Sequence, residues 1–107
     1  MQGTYLRFYV QEDRRHAGLL LYEWLLEEAK RLGLHGGSAF RAIAGFGRHG
    51  IIHEQHFFEL AGHLTVKVEF VVTQDEAERM LERLRREKIR LVYAMLPAEF
   101  GVLDGTE

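Results

Sequence analysis

The sequence predicts one α+β domain in which two helices cover one face of a four-stranded antiparallel sheet. Three observations lead to this fold class. Several segments alternate apolar and polar residues, which is typical of strands. Two other segments repeat their apolar residues at helical spacing. These segments follow one another in the order βαββαβ, which is the ferredoxin-like arrangement.

The first strand and the first helix have clear patterns. Thr4 to Val10 alternates along its whole length and is predicted to be a strand. A helix is expected to begin at Asp13 or a neighbour and to end at Gly33, with Glu27 pairing with Arg31 on its surface. Its apolar stripe is expected to lie in the core and comprises Leu21, Trp24, Leu25, Ala29 and Leu32.

The second strand is predicted over Ser38 to Phe46, because an apolar run is bracketed there by glycines. The stretch from Gly47 to Gly62 has no clean period, so it is expected to be a long mobile loop of about 47–62 inside a hairpin connection. Connections of this length are usually functional.

The second half of the chain repeats the pattern of strand, helix and strand. Leu64 to Val72 alternates and is predicted to be the third strand. Thr73 and Glu76 have the spacing of a capping box at the start of the second helix. The apolar stripe of that helix comprises Ala77, Met80, Leu81 and Leu84. The fourth strand is expected over Leu91 to Leu96, ended by Pro97.

Two helices on one face leave the other face of the sheet open. Tyr5, Tyr9, Val71 and part of the second strand are expected on it. Contiguous apolar surface of that kind is normally covered by a partner, which favours a homo-oligomer packed sheet to sheet. The alternative is a monomer with scattered exposed aromatic residues.

Composition limits the size and the class of the protein. The 107 residues, 47% of them hydrophobic, are enough for a single domain over 1–107, with a core of about 4–97 and a short tail at 98–107. The formal net charge of -2 gives no basic excess, so no nucleic-acid partner is expected. No apolar run is long enough for a signal or a membrane span, and a cytoplasmic location is expected.

Missing residue types exclude several kinds of chemistry. The chain has no Cys, and therefore no thiol nucleophile, disulfide or zinc finger. Ser38 is its only serine. No positioned acid–base pair is visible, so a small nucleotide hydrolase is the weaker alternative and no enzymatic activity is expected.

A glycine-rich block follows the second strand. Gly45-Phe46-Gly47-Arg48-His49-Gly50 fits the pattern G-x-G-x-x-G, in which backbone N–H groups approach phosphate oxygens closely. The block stands in a hairpin connection and not between a first strand and a helix, so the dinucleotide-binding interpretation is disfavoured. Two interpretations stay open, a phosphate cradle and a tight β connection.

Three histidines form the alternative candidate site. His49, His53 and His56 fall at i, i+4 and i+7, a spacing that would bring them to one side of a helix. The glycines around them make a helix there doubtful. A divalent-metal sensor or tolerance protein is therefore the alternative function, against ordinary polar loop histidines.

Five blocks together resemble the bacterial and archaeal family called domain of unknown function 190, within the PII-like superfamily. They are Leu6-Arg7-Phe8-Tyr9-Val10, Leu21-Tyr22-Glu23, Ala29-Lys30-Arg31-Leu32-Gly33-Leu34, Arg41-Ala42-Ile43-Ala44-Gly45-Phe46-Gly47 and Ile52-His53. The resemblance implies a trimeric PII-like signalling protein. It also implies that the loop after the second strand corresponds to the PII T-loop, and that adenine nucleotides bind in clefts between subunits.

Departures from better-known PII proteins refine this expectation. Glu87-Lys88-Ile89 lacks the glycine of the PII phosphate-binding turn, and residues 98–107 carry only acidic charges. AMP or ADP is therefore expected over ATP, with no required cofactor. An unidentified protein target is also implied, and a membrane transporter is one candidate. The expected ligand-binding residues are Arg41, Gly45, Phe46, Gly47, Arg48 and Lys88.

Overall fold

Residues 1–45 and 64–105 are described in the computed structural model. Within these ranges the chain forms six strands and two helices. The elements, in chain order, are β1 (Gln2–Gln11), β2 (Arg15–His16), β3 (Leu19–Leu20), α1 (Leu21–Arg31), β4 (Ser38–Arg41), β5 (Thr65–Val72), α2 (Gln74–Arg86) and β6 (Val92–Glu99).

Four of the strands form one antiparallel sheet in the order β4-β5-β1-β6. The central strand β1 pairs with β5 and β6, so that Leu6 lies opposite both Phe70 and Met95. This order places the two strands that are furthest apart along the chain beside each other, as the ferredoxin-like topology requires. The predicted α+β class is confirmed.

The core lies between one face of the sheet and the two helices. Alternate residues of β1 and β5 are buried, and the rings of Phe8 and Phe70 meet edge to face with their centroids 6.3 Å apart. Trp24 is buried on α1, as predicted, and Met80 is fully buried on α2. The apolar stripes found by periodicity are therefore the faces that the helices bury.

A short hairpin precedes α1, and the prediction that the helix begins near Asp13 was wrong. Strands β2 and β3 pair across a two-residue turn in which Ala17 has φ +52° and Gly18 has φ +84°. Positive φ at both central residues is the geometry of a type I′ hairpin turn. The helix begins only at Leu21, because the preceding residues take part in this turn.

Two predicted strand ends also differ. β4 stops at Arg41, so the prediction of a strand to Phe46 was too long; Phe46 lies outside the described residues. β6 continues through Pro97 to Glu99, so Pro97 does not end it and the predicted tail starts later. A proline without N–H is tolerated there because β6 is an edge strand of the sheet.

The helix ends follow local sequence signals. The predicted capping box of α2 is confirmed: Thr73 Oγ1 accepts from the Glu76 N–H at 3.1 Å and Glu76 Oε1 accepts from the Thr73 N–H at 2.9 Å. The pairing predicted between Glu27 and Arg31 was wrong. Arg31 lies 3.2 Å from Glu28, a buried carboxylate that faces α2 and also accepts from Arg83.

The open face of the sheet is less apolar than the sequence predicted. Tyr5 and Tyr9 are only half-exposed, and Lys67 and Glu69 of β5 lie between them and β4. The side chains of this face form a charged centre with an apolar rim. The centre is charged because polar residues alternate with the buried ones along β5. The rim consists of Phe40, Val71, Val92 and Leu96, all exposed.

Candidate ligand site at the end of strand β4

A surface pocket of about 280 Å³ lies where β4 ends. The pairing register places Phe40 opposite Lys67, and Lys67 opposite Tyr9, so one row across three strands forms its floor. This row contains two aromatic rings with a cation between them. The pocket is lined by Tyr9, Phe40, Arg41, Ala42, Thr65 and Lys67.

Both cations of the pocket have a carboxylate partner. Arg41 Nη2 donates to Glu12 Oε1. Lys67 Nζ lies 3.1 Å from Glu69 Oε2 and also 5.2 Å from the centre of the Phe40 ring, a cation–π distance. The positive charge in the pocket is therefore balanced within the chain.

Glu12 connects the two ends of the segment that follows β4. Its Oε2 accepts from the Leu64 N–H at 3.2 Å, and its own N–H donates to the Leu64 carbonyl at 2.8 Å. The Ala42 N–H donates to the Thr65 carbonyl at 2.8 Å. These bonds hold Leu64 to the residue that follows β1, and Ala42 to the start of β5.

A hydrogen-bond network continues from the pocket along the open face. Tyr5 donates to Glu69, and this bond raises the pKa of the Tyr5 hydroxyl and lowers the pKa of the Glu69 carboxyl. The Arg7 guanidinium lies 4.6 Å from the centre of the Tyr5 ring and donates to the Tyr9 hydroxyl at 3.4 Å. Arg7 Nε is buried and has no acceptor among the described residues.

Two of the six predicted ligand-binding residues, Arg41 and Gly45, lie at or shortly after the end of β4. Arg41 lines the pocket, and Gly45 lies exposed four positions further along. Gly45 does not have a positive φ, and a Cβ added there would meet no described atom within 4 Å. The predicted residues Phe46, Gly47 and Arg48 lie outside the described residues.

Lys88 is not brought into this pocket within one chain. It lies in the turn between α2 and β6. The start of β6 and the end of β4 are at the same end of the sheet, because Val92 pairs with Tyr9 and Arg41 pairs with Val66. They are at opposite edges, however, three strand spacings or roughly 14 Å apart.

Sequence reasoning missed Tyr9, Phe40 and Lys67 as pocket residues, and Glu12 as the ion-pair partner of Arg41. The alternation of β1 and β5 correctly placed Tyr9 and Lys67 on the open face. It did not show that they stand opposite each other, because the register of two strands 54 or more residues apart depends on tertiary pairing. A cation flanked by aromatic residues on neighbouring strands is the signal that would have found the pocket.

No group of three or more His, Cys, Asp or Glu side chains within 1–45 and 64–105 is arranged to hold a metal ion. His49, His53 and His56, the alternative metal site, lie outside these ranges. Of the helices in the part of the chain that the structure describes, none is long and apolar enough to cross a membrane.

Comparison of the fold with solved structures defines its class. A nitrogen regulatory PII-like protein from Thiomonas intermedia, solved with ADP, AMP and bicarbonate bound, matches with a TM-score of 0.65 and 14% identity over 97% of this chain and 98% of its own. A putative PII-like signalling protein from Thermus thermophilus matches with a TM-score of 0.61 and 21% identity over 92% of this chain and 87% of its own. The chain has the PII-like fold.

Sequence comparison identifies the family within that class. The chain belongs to the family of domain of unknown function 190, described as "Uncharacterized ACR", whose model matches residues 3–95. A UPF0166 protein from Aquifex aeolicus is 39% identical over 80 residues, covering 75% of this chain and 76% of the relative. A UPF0166 protein from Methanocaldococcus jannaschii is 30% identical over 84 residues, covering 78% and 77%.

Proposed function

We propose that this protein is a non-enzymatic, cytoplasmic PII-like signalling protein that binds an adenine nucleotide, AMP or ADP in preference to ATP. The nucleotide binds beside Arg41, in clefts between the subunits of a homotrimer. The PII-like fold supports the signalling class. The nucleotides bound to the Thiomonas protein support the ligand class.

The observation that carries the proposal is the composition of the pocket at the end of β4. Lys67 offers a positive charge on the same face as the two aromatic rings of the pocket, and Arg41, which follows Phe40 on the edge strand, offers planar donors that match phosphate oxygens. Phe40 and Tyr9 offer ring faces on which a purine base stacks. Phosphate-binding cations and stacking surfaces within one pocket are what a nucleotide requires.

The position of Lys88 supports a site between subunits. Arg41 and Lys88 lie at the same end of the sheet but on opposite edges. One chain cannot bring both to one phosphate group, whereas the β4 edge of one subunit and the β6 edge of another can share a cleft. The uncovered sheet face has an exposed apolar rim, and its Arg7 Nε is buried without an acceptor in the part of the chain that the structure describes; both features support assembly through this face.

The signal is proposed to pass through residues 47–60, which follow the pocket directly. Ligand binding at Arg41 and at the N–H groups of 45–47 changes which surface this segment presents to a protein target, with a membrane transporter as one candidate. A bound ligand that orders a segment is a recognised way to switch partners.

Calorimetric titration of the purified protein with AMP, ADP, ATP and zinc tests the ligand. We expect heat with AMP or ADP and weaker binding of ATP. The Gly45→Ala variant should bind ADP about tenfold more weakly at unchanged melting temperature, because its Cβ would meet no described atom within 4 Å but would hinder the close approach of a phosphate. Heat with zinc alone would favour the histidine site, and release of inorganic phosphate would point to a hydrolase.

Light scattering tests the assembly. A homotrimer has about three times the chain mass of 12.4 kDa. A stable monomer at micromolar concentration would contradict both the trimer and a site between subunits.

A further inference from the structure

Both cations that line the pocket at the end of β4 are paired with carboxylates of the same chain. Glu12 binds Arg41 and Glu69 binds Lys67, so a phosphate group that approaches either cation meets a carboxylate already in place. The two carboxylates differ in how firmly they are held by other groups. Glu69 is also the acceptor of the Tyr5 hydroxyl.

In the Glu12–Arg41 ion pair, Glu12 is held by further hydrogen bonds and is the less exposed of the two side chains. The Glu12 side chain is 21% exposed and the Arg41 side chain is 63% exposed. Glu12 is anchored by its second carboxylate oxygen and by its backbone N–H, which both bond to Leu64. Arg41 sits at the end of an edge strand, and its long side chain can turn to another anion without moving the backbone.

We propose that Glu12 is an internal competitor of the ligand phosphate for Arg41, an inference that rests on the proposed nucleotide site. Without ligand, the guanidinium is held by the Glu12 carboxylate. A phosphate group carries more charge and accepts from two guanidinium N–H groups, so it takes Arg41 over. The Glu12 carboxylate, no longer paired, then repels the bound phosphate. Its negative charge therefore lowers the affinity of the site for phosphate both when it holds Arg41 and when it has released Arg41.

This competition has a structural consequence within the described residues. The side-chain link from Arg41 through Glu12 to Leu64 joins the residues on either side of positions 46–63. Transfer of Arg41 to a phosphate breaks this link, while the backbone bonds of Glu12 with Leu64 and of Ala42 with Thr65 remain. The ligand thus changes a contact at the base of the segment proposed to signal.

The Glu12→Gln variant tests the inference. Glutamine keeps an oxygen that accepts from the Leu64 N–H but removes the negative charge. Glu27→Gln is the matched control, because it removes the same charge from an exposed position on α1. ADP and inorganic pyrophosphate are titrated into each variant by calorimetry. We expect Glu12→Gln to bind both probes at least threefold more tightly than wild type, and Glu27→Gln to bind as wild type does.

The outcomes separate this inference from the proposed function. Equal or weaker binding by Glu12→Gln overturns the competition, even if ADP binds wild type well. Tighter pyrophosphate binding by Glu12→Gln with no ADP binding by any variant supports the competition and contradicts the nucleotide function. Absence of binding of either probe to wild type and Glu12→Gln overturns both.

A measurement on wild type alone covers the case in which Glu12→Gln fails to fold. Nitrogen-15 spectra of the arginine side chains, with the Arg41 signal assigned by Arg41→Lys, report the environment of its guanidinium. Pyrophosphate should shift the Arg41 signal at concentrations that leave the Arg31 signal unchanged. An Arg41 signal that does not move on saturation with pyrophosphate contradicts the transfer.

Discussion

Lys88 occupies a backbone position that glycine usually fills. Helix α2 ends in a Schellman motif, in which the Ile89 N–H donates to the Leu84 carbonyl at 3.2 Å and the Lys88 N–H to the Arg85 carbonyl at 3.0 Å. This motif requires a left-handed residue, and Lys88 has φ +56°. At the end of α1 the corresponding residue is Gly33, with φ +89°. A lysine with a Cβ is strained at such a position.

The Lys88→Gly variant should therefore be more stable than wild type by about 0.5–1 kcal/mol, since relief of the left-handed strain exceeds the entropy that glycine loses on folding. If Lys88 contacts a nucleotide phosphate across the subunit cleft, the same variant should bind ADP several-fold more weakly. Urea unfolding and ADP titration measure the two effects.

Lys88→Ala separates backbone from side chain, because it removes the charge but keeps the Cβ. It should lose ADP affinity as Lys88→Gly does, without the gain in stability. A Lys88→Gly protein that is both more stable and unchanged in ADP affinity would remove Lys88 from the site.

At the scale of a single element, the start of α2 depends on one carboxylate. The Thr73 N–H donates to Glu76, and His35 lies 3.1 Å from its other oxygen; these contacts lower the pKa of the Glu76 carboxyl although its burial opposes them. Stability from a carboxyl with a lowered pKa is fully present above its unfolded pKa and is lost as pH falls through the folded value.

Wild-type stability should accordingly fall as the pH drops below about 4.5, the ordinary value of a glutamate. Glu76→Gln keeps a capping oxygen but does not titrate, so its stability should depend less on pH in that range and should be lower than wild type at pH 7. Urea midpoints at pH 7, 5, 4 and 3 measure this. If the urea midpoints of wild type and Glu76→Gln change equally with pH, Glu76 is not the source of this pH dependence.

The turn into β4 depends on close packing at Gly37. A Cβ added there would overlap the ring of Phe70, which is buried in the core and cannot move aside. Gly37→Ala should therefore destabilise the protein by about 1–3 kcal/mol, the range for overpacking a filled core. Thermal unfolding measures the loss, and Ser38→Ala, at the exposed neighbouring position, should change stability by less than about 0.5 kcal/mol.

At the scale of the whole molecule, the proposed association of chains through the open sheet face can be tested by substitution on its rim. Leu96 is exposed on its rim, whereas Leu103 is fully exposed in the C-terminal residues beyond β6. Leu96→Asp would place an unpaired charge in a contact between sheets, and such burial is strongly unfavourable. We expect its mass in light scattering to fall to that of one chain, with weaker ADP binding.

Leu103→Asp is the matched control and should stay assembled, since Leu103 is fully exposed and lies beyond the last strand of the sheet. Circular dichroism of both variants should show the wild-type content of helix and strand. If Leu96→Asp has the same mass and ADP affinity as wild type, assembly through the open face is contradicted.

Signals that lie within a few residues of each other could be predicted from the sequence. The alternation of β1 and β5, the apolar stripes of α1 and α2, and the Thr73 capping box all correspond to the structure. The order of these elements also predicted the topology of the sheet, because connections in such folds are few and regular. Arg41 was recognised as a ligand candidate from a family resemblance, and it lines the pocket.

The sequence by itself determined the order of the four sheet strands and the two helices and which of their faces are buried, because these follow from periodicity and local hydrogen bonds. Only the tertiary structure decided that β6 runs through Pro97 at a sheet edge, that Phe40, Lys67 and Tyr9 form one row, and that Glu12 holds Arg41. Each of these depends on the register or edge position of strands that are distant in the chain. Such contacts form only when the sheet assembles, so no local pattern encodes them.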